Sequence, residues 1–72
     1  MKKRNVVIST LSEDVFENAV DQIESLGASI IEKRYDLLYH RYEIYARMTL
    51  RQSYKMRHFV KSLDATIIDF GS

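Results

Sequence analysis

Apolar positions in the first half of the chain change from a short continuous run to a helical spacing. Residues 6–8 are three consecutive β-branched residues, which predicts a first strand. Thr10 stands three residues before Glu13, the spacing of a capping box, with Ser12 as the alternative N-cap. Gly27 is placed to end the following helix in a left-handed conformation. The apolar face of this helix, of about four turns, consists of Phe16, Ala19, Val20, Ile23 and Leu26.

The second half alternates between apolar and polar residues and then returns to a helical spacing. The predicted segments are a second strand at 28–35, a connection at 36–39, a third strand at 40–48 and a last strand at 66–70. Even-numbered side chains of the third strand should face the core, because strand side chains alternate. Thr49 and Gln52 repeat the capping-box spacing ahead of a second helix. The apolar positions of that helix are Met56, Phe59, Val60 and Leu63.

This order of elements predicts an α+β fold of the ferredoxin-like βαββαβ type, in a single domain of residues 1–72. Right-handed crossovers put both helices on one face of a four-stranded antiparallel sheet of order 4-1-3-2, with strands 2 and 4 at its edges. The other face is left uncovered. If Val7, Ile31 or Ile68 lies on it, that surface is partly apolar, and a small domain seldom leaves such a patch in water. Homodimerisation through sheet faces or edge strands follows.

Composition excludes several classes of protein. The chain of 72 residues has no cysteine, so no disulfide or cysteine-ligated zinc can stabilise it. Its net charge of +1 argues against a dedicated polyanion binder. Residues 2–4 after Met1 are basic, as at the start of a signal peptide, but no long apolar segment follows them. We therefore expect a cytoplasmic protein.

Charge is sorted onto the two predicted helices. Residues 11–30 contain five acids and no base, and residues 39–61 contain six bases, two histidines and one acid. Two arrangements would neutralise these charges. Acids and bases can face each other across the groove between the helices, or one helix can meet the opposite helix of a second copy. The residues concerned are Glu17, Asp21 and Glu24 on the first helix and Lys55, Arg57 and Lys61 on the second.

Catalytic patterns are missing from the sequence. His40 and His58 are the residues suited to proton transfer near neutral pH, and both are expected to be surface or half-buried side chains. A metal site formed by the two with Asp64 or Glu43 is the alternative. Only two glycines occur, which excludes a phosphate-binding or dinucleotide loop. We predict no enzyme activity, no metal and no cofactor.

Tyrosines are concentrated in the middle third of the chain and interleaved with arginines. Aromatic rings can stack on bases while arginines hold phosphates, so nucleic-acid binding on the open sheet face is an alternative function. Its candidate residues are Arg41, Tyr45 and Arg47. The segment 41–46 lacks the glycine that the third strand of an RNA-recognition motif carries, and it contains an acid.

The connection between strands 2 and 3 is unusually apolar. A short turn normally takes Gly, Asn or Asp, yet Leu37 and Leu38 stand here between Tyr35 and Tyr39. Either this tip folds back onto its own core or it contacts a second subunit. The four residues are our candidates for a dimer or partner contact.

Five features follow one another in an order typical of one group of small domains. They are the strand at 6–8, the helix end Ser25-Leu26-Gly27, the segment Ala28-Ser29-Ile30-Ile31, the long third strand, and Leu63 before Thr66-Ile67-Ile68. In this order the chain resembles ACT-like regulatory domains, which implies a non-catalytic domain that dimerises and senses a small ligand. Many ACT domains bind an amino acid at a turn with Pro and Gly after the first strand. Residues 9–14 contain neither, so the resemblance does not identify the ligand.

The helix–Gly–strand junction and the closing strand also resemble the soluble C-terminal domain of MgtC/SapB-type membrane proteins. That resemblance implies a cytosolic domain of a larger membrane protein, with residues 1–4 as the junction at the inner face of the membrane. The same residues could equally start a free-standing protein.

Overall fold

The computed structural model describes residues 3–69. Residues 1–2 and 70–72 lie outside this range, so the first two positions of the predicted junction and the last position of the predicted fourth strand are not described. The elements are β1 (Lys3–Thr10), α1 (Glu13–Ser25), β2 (Ser29–Asp36), β3 (Arg41–Thr49), α2 (Leu50–Lys61) and β4 (Ala65–Asp69). Every predicted element is present, with boundaries shifted by a few residues.

The four strands form one antiparallel sheet in the order β2-β3-β1-β4, which confirms the predicted ferredoxin-like topology. Strand β1 is central, and Val7 stands opposite Tyr45 of β3 and Ile68 of β4. The pairing of β2 with β3 shifts register between Ile30 and Glu32. This bulge inserts Ile31 as an extra residue on the strand.

One hydrophobic core lies between the sheet and both helices. Even-numbered side chains of β3 enter it, as predicted, and so do even-numbered side chains of β1 and residues of α1 and α2. Both helices therefore cover the same face of the sheet, and the opposite face has no helix on it. The buried cluster consists of Val6, Ile8, Ala19, Ile23, Ile44, Ala46, Met48, Met56 and Val60.

Helix α1 begins at a different cap from the one the spacing favoured. The Ser12 Oγ accepts a hydrogen bond from the Val15 amide at 3.3 Å. The Thr10 hydroxyl instead donates to the Asp64 carbonyl at 2.7 Å and accepts from the Ser12 amide at 3.1 Å. The expectation that Thr10 caps the helix is thus wrong, because its hydroxyl ties the end of β1 to the turn before β4.

The end of α1 follows the Schellman pattern. Gly27 has a φ of 80°, its amide donates to the Glu24 carbonyl at 3.0 Å, and the Ala28 amide donates to Ile23 at 3.2 Å. A left-handed residue is required here, and glycine adopts that conformation without a Cβ penalty.

Helix α2 carries the predicted capping box, and its first turn is bonded to the end of α1. The Gln52 Oε1 accepts from the Thr49 amide at 2.8 Å, and the Thr49 Oγ1 accepts from the Gln52 amide at 3.2 Å. The Gln52 Nε2 also donates to the Leu26 carbonyl at 2.8 Å. One side chain therefore caps α2 and satisfies a carbonyl at the end of α1.

The charges of the two helices do not pair across the groove between them. Among residues 3–69, no acid of α1 forms an ion pair with a base of α2, so that interpretation is wrong. Arg57 instead lies 3.6 Å from the Asp69 carboxylate on β4, which the Arg4 Nε also contacts at 2.8 Å. Within the same residues, no helix is long and apolar enough to cross a membrane.

Candidate interaction surfaces

The uncovered sheet face carries one apolar row that crosses all four strands. We call Ile31, Tyr45, Val7 and Ile68 the apolar row. Val7 is only 8% exposed although no helix covers it, because its neighbours on the strands surround it. Ile31 and Ile68 are 59% and 51% exposed. The row therefore presents apolar surface to solvent at both ends of a closely packed centre.

The bulge in β2 determines how this row is completed. Because Ile31 is the extra residue, Ile31 and Glu32 both lie on the open side, and a shallow pocket beside Val7 is lined by Asn5, Ile31 and Tyr45. No sequence signal marks such a bulge. Of the two adjacent isoleucines on this strand, Ile30 packs against the core and Ile31 does not.

Polar side chains flank the row on the open face. Arg34 forms an ion pair with Glu32, which raises the pKa of the guanidinium. The same guanidinium carbon lies 4.9 Å from the centroid of the Tyr45 ring. The Tyr45 hydroxyl donates to Glu43 at 3.5 Å. The ring of Tyr45 is thus already in contact with the Arg34 guanidinium.

The three candidate nucleic-acid residues share this face but do not form one site. Arg41 and Arg47 are six residues apart on β3, which corresponds to roughly 20 Å along a strand. Arg41 lies 5.7 Å from the Tyr39 ring at the hairpin end. Glu43 lies between the two arginines on the same face. A nucleic acid would meet separated cations with a carboxylate between them.

The loop between β2 and β3, which we call the hairpin tip (residues 37–40), extends away from the core. The Asp36 Oδ1 accepts from the amides of Leu38 at 2.9 Å and Tyr39 at 3.3 Å, and His40 closes the turn with a φ of 52°. Leu37 is 76% exposed and Leu38 79%. The prediction that the tip folds back onto its own core is therefore wrong, and both leucines are available to a partner.

Tyr35 links the tip to the body of the domain. Its ring lies 4.6 Å from that of Tyr42, which lies 5.1 Å from that of Phe16, and its hydroxyl is 3.1 Å from the His40 Nδ1. The Tyr42 hydroxyl donates to Glu13 at 3.4 Å. Partial burial of the ring, followed by the negative charge of Glu13, raises the pKa of Tyr42. These ring contacts connect the start of the exposed tip to the first helix.

The two histidines lie on different elements, His40 in the hairpin tip and His58 on α2. Within residues 3–69, no three His, Asp or Glu side chains are grouped so that they could hold a metal ion. The alternative of a site with Asp64 or Glu43 therefore has no structural support.

A groove at the end of β1 was not foreseen. The Arg41 side chain and the hydroxyl-bearing residues Ser9 and Thr66 line it, with Leu11 and Ile68 as its apolar part. Leu11 is 65% exposed. These residues are distant in sequence and meet only because β3 and β4 both pair with β1, so no local pattern could have identified them.

Comparisons with known proteins identify the fold. No protein-family model matches the chain, and no curated protein does. The uncharacterized protein TM1266 from Thermotoga maritima superimposes with a TM-score of 0.71 at 6% identity, over 97% of this chain and 95% of that one. An ACT domain protein from Streptococcus pneumoniae superimposes with a TM-score of 0.66 at 14% identity, over 97% and 89%. The chain therefore shares its ferredoxin-like fold with both of these proteins.

Proposed function

We propose that this chain is a non-catalytic interaction and regulatory domain that acts as a homodimer through its open sheet face. The observation that carries this proposal is the apolar row on a face that no helix covers. A contiguous apolar patch with a polar border is characteristic of an interaction site on a small domain.

The charges beside the row favour a second copy as the partner. A twofold axis along the apolar row places Val7 against Val7 of the second copy, and it exchanges the two polar borders. Arg47 on one side of Tyr45 then comes opposite Glu43 on the other side, in both directions at once. Such self-complementarity is what a twofold interface requires.

The hairpin tip extends the same contact. Leu37, Leu38 and Tyr39 project beyond the core, and Tyr35 anchors their base. When a partner covers aromatic and leucine side chains, their apolar surface is removed from water, which stabilises the contact. We include these four residues in the proposed contact.

The regulatory part of the proposal concerns the groove at the end of β1. A guanidinium at Arg41, the hydroxyls of Ser9 and Thr66 and the apolar side chain of Leu11 suit a small carboxylate with an apolar portion. Asp64 also lines the groove and disfavours a ligand with a second negative charge. The shared fold with an ACT domain protein supports a ligand-sensing role. The domain would then couple occupancy of this groove to the neighbouring sheet face, because Ile68 belongs to both.

The proposal also includes the larger protein to which this domain would belong. A cytoplasmic domain attached to an MgtC/SapB-type membrane protein would use the same sheet face to join two membrane subunits. The sequence encoded upstream in the gene tests this. A series of apolar helices there supports it, and an unrelated upstream gene removes it.

Sedimentation equilibrium tests the dimer directly. We expect a dimer for the unaltered chain and a weaker one for the double variant Ile31→Thr, Ile68→Thr, in which threonine keeps the β-branched shape but loses apolar area. Loss of about 0.5–1 kcal/mol at each of the four half-exposed positions in a dimer amounts to about 3 kcal/mol, or roughly a hundredfold in Kd. Leu50→Gln on α2, 45% exposed, is the control and should leave the sheet contact unchanged. A monomer at high micromolar concentration, or a double variant that dimerises like the parent, would overturn the proposal.

Nucleic-acid binding is the second candidate, supported by three exposed bases on the open face, Lys3, Arg41 and Arg47. It predicts salt-sensitive binding of a fluorescent single-stranded RNA that weakens in the Arg41→Ala, Arg47→Ala variant. The absence of binding at low salt rules it out.

A further inference from the structure

Acidic side chains occupy one side of the exposed surface of α1. Successive residues of a helix are about 100° apart, so the five acids fall within an arc of roughly 100°. All five are exposed: Glu13, Asp14, Glu17, Asp21 and Glu24. We call them the acidic stripe.

Basic side chains follow the exposed surface of α2. Arg51, Lys55, His58 and Lys61 recur at spacings of three and four residues, which places them along one side of a helix. We call them the basic stripe. Tyr54, 56% exposed, lies among them, and shallow depressions along the helix are lined by Tyr54, His58 and these bases. The basic stripe therefore combines shallow depressions and an aromatic side chain with its charge.

Among residues 3–69, the acidic and basic stripes are not neutralised by ion pairs between the two helices. In the part of the chain that the structure describes, Arg57 is the only base of α2 in an ion pair, and its partner is on β4. Glu13 accepts one hydrogen bond from Tyr42, and none of the five acids forms an ion pair. Two opposite charge stripes therefore lie exposed on one layer of the molecule.

We propose that this helix layer is a second self-association surface, in which the acidic stripe of one copy contacts the basic stripe of another. A twofold axis parallel to the helices brings α1 of each copy against α2 of the other, so both contacts form together and the interface is closed. This surface is separate from the open sheet face, and it does not depend on the dimer proposed there.

A second copy fits this layer better than an anionic polymer does. α1 covers the same sheet face as α2, so a nucleic acid lying along the basic stripe would approach the acidic stripe as well. A second copy instead presents its basic stripe to the acidic stripe and its acidic stripe to the basic one. Opposed patches of this kind steer association and determine orientation.

Exposed ion pairs contribute about 0–1 kcal/mol each, so the contact needs several pairs and must weaken as salt is added. The test uses the full chain carrying Ile31→Thr and Ile68→Thr, which should weaken the sheet contact roughly a hundredfold. On this background an acidic variant carries Lys55→Glu and Lys61→Glu, and a basic variant carries Glu17→Lys and Asp21→Lys. Thermal unfolding establishes that each variant is folded.

Sedimentation velocity at low and high salt then compares the proteins singly and mixed. We expect the background chain to associate at low salt and dissociate at high salt, each helix variant alone to be monomeric, and their equimolar mixture to associate at least tenfold more tightly than either alone. The control replaces the acidic variant by Lys3→Glu, Arg47→Glu, which has the same net charge but an intact basic stripe. In that control mixture the control variant should associate with itself as the background chain does, and the basic variant should stay monomeric.

Three outcomes would overturn the proposal: a background chain that is monomeric at low salt, helix variants that self-associate as the background does, or a basic variant that associates with the control variant as tightly as with the acidic variant. All of them are distinguishable from failure of the sheet dimer, which is measured on the unaltered chain.

Discussion

Gln52 is the side chain whose removal tests how the two helices are held together. Its Oε1 accepts from the Thr49 amide and its Nε2 donates to the Leu26 carbonyl, both at 2.8 Å. Gln52→Ala removes both hydrogen bonds at once. It leaves an amide at the start of α2 and a carbonyl at the end of α1 without this partner.

The expected loss follows from these two bonds. Each contributes about 0.5–1.5 kcal/mol net, and alanine returns a few tenths through its higher helix propensity. The free energy of unfolding should therefore fall by about 1.5–2 kcal/mol. In a domain of this size that corresponds to a decrease in Tm of roughly 10 °C. Gln52→Glu keeps the acceptor for Thr49 and loses only the donor for Leu26, so it should lie between alanine and the parent.

Thermal and urea unfolding followed by circular dichroism measure these differences. Gln22→Ala is the matched control, because Gln22 is also half-buried on a helix and its side chain forms no hydrogen bond within residues 3–69. It should change stability by less than about 0.5 kcal/mol. If Gln52→Ala and Gln22→Ala have the same Tm, the bond between the helices does not contribute as argued.

Two further predictions concern the ends of α1. Gly27→Ala should lower the free energy of unfolding by about 1–2 kcal/mol because of the left-handed conformation. Steric clash does not add to this loss, since the nearest atom to an added Cβ is the Gln52 Nε2 at 4.0 Å. Gly27→Asn should lower the free energy of unfolding by less, as measured by chemical denaturation. Equal losses would show that the conformation is not the cause. At the other end, Glu13→Gln should lower the raised pKa of Tyr42 only in part, since burial is the larger cause. A titration of tyrosinate absorbance, with Tyr42→Phe as reference, measures this pKa. The raised pKa stabilises the fold fully below pH 10.0, the ordinary tyrosine value, and this contribution is lost as pH rises through the folded pKa. The unaltered chain should therefore lose stability faster than Tyr42→Phe above that pH, and parallel losses would contradict the argument.

The two proposed surfaces have different physical characters. The sheet face is apolar at its centre and should depend little on salt, whereas the helix layer is charged and should depend on it strongly. A chain with both could form dimers through one face and larger assemblies through the other. Salt concentration and the Ile31→Thr, Ile68→Thr variant separate the two contributions.

The sequence by itself determined the elements, their order and the buried side of β3. The spacing of apolar residues and the helix caps are local properties of the chain. The capping box of Thr49 and Gln52 and the helix end at Gly27 could therefore be assigned from residues within one helical turn. The sheet order followed as well, because few topologies satisfy short connections and right-handed crossovers. The four apolar residues around the hairpin tip were likewise visible as an anomaly for a turn.

Only the tertiary structure decided features that depend on distant partners. Thr10 loses its role as helix cap because its hydroxyl reaches the Asp64 carbonyl, 54 residues away in sequence. The bulge at Ile31 selects which isoleucine enters the core, and Asp69 rather than α1 receives Arg57. The charge sorting was plain in the sequence, but whether it is neutralised inside one chain depends on how the helices are rotated on the sheet. That rotation is fixed by core packing, which buries Ile23 and Met56 and leaves both charged stripes outside.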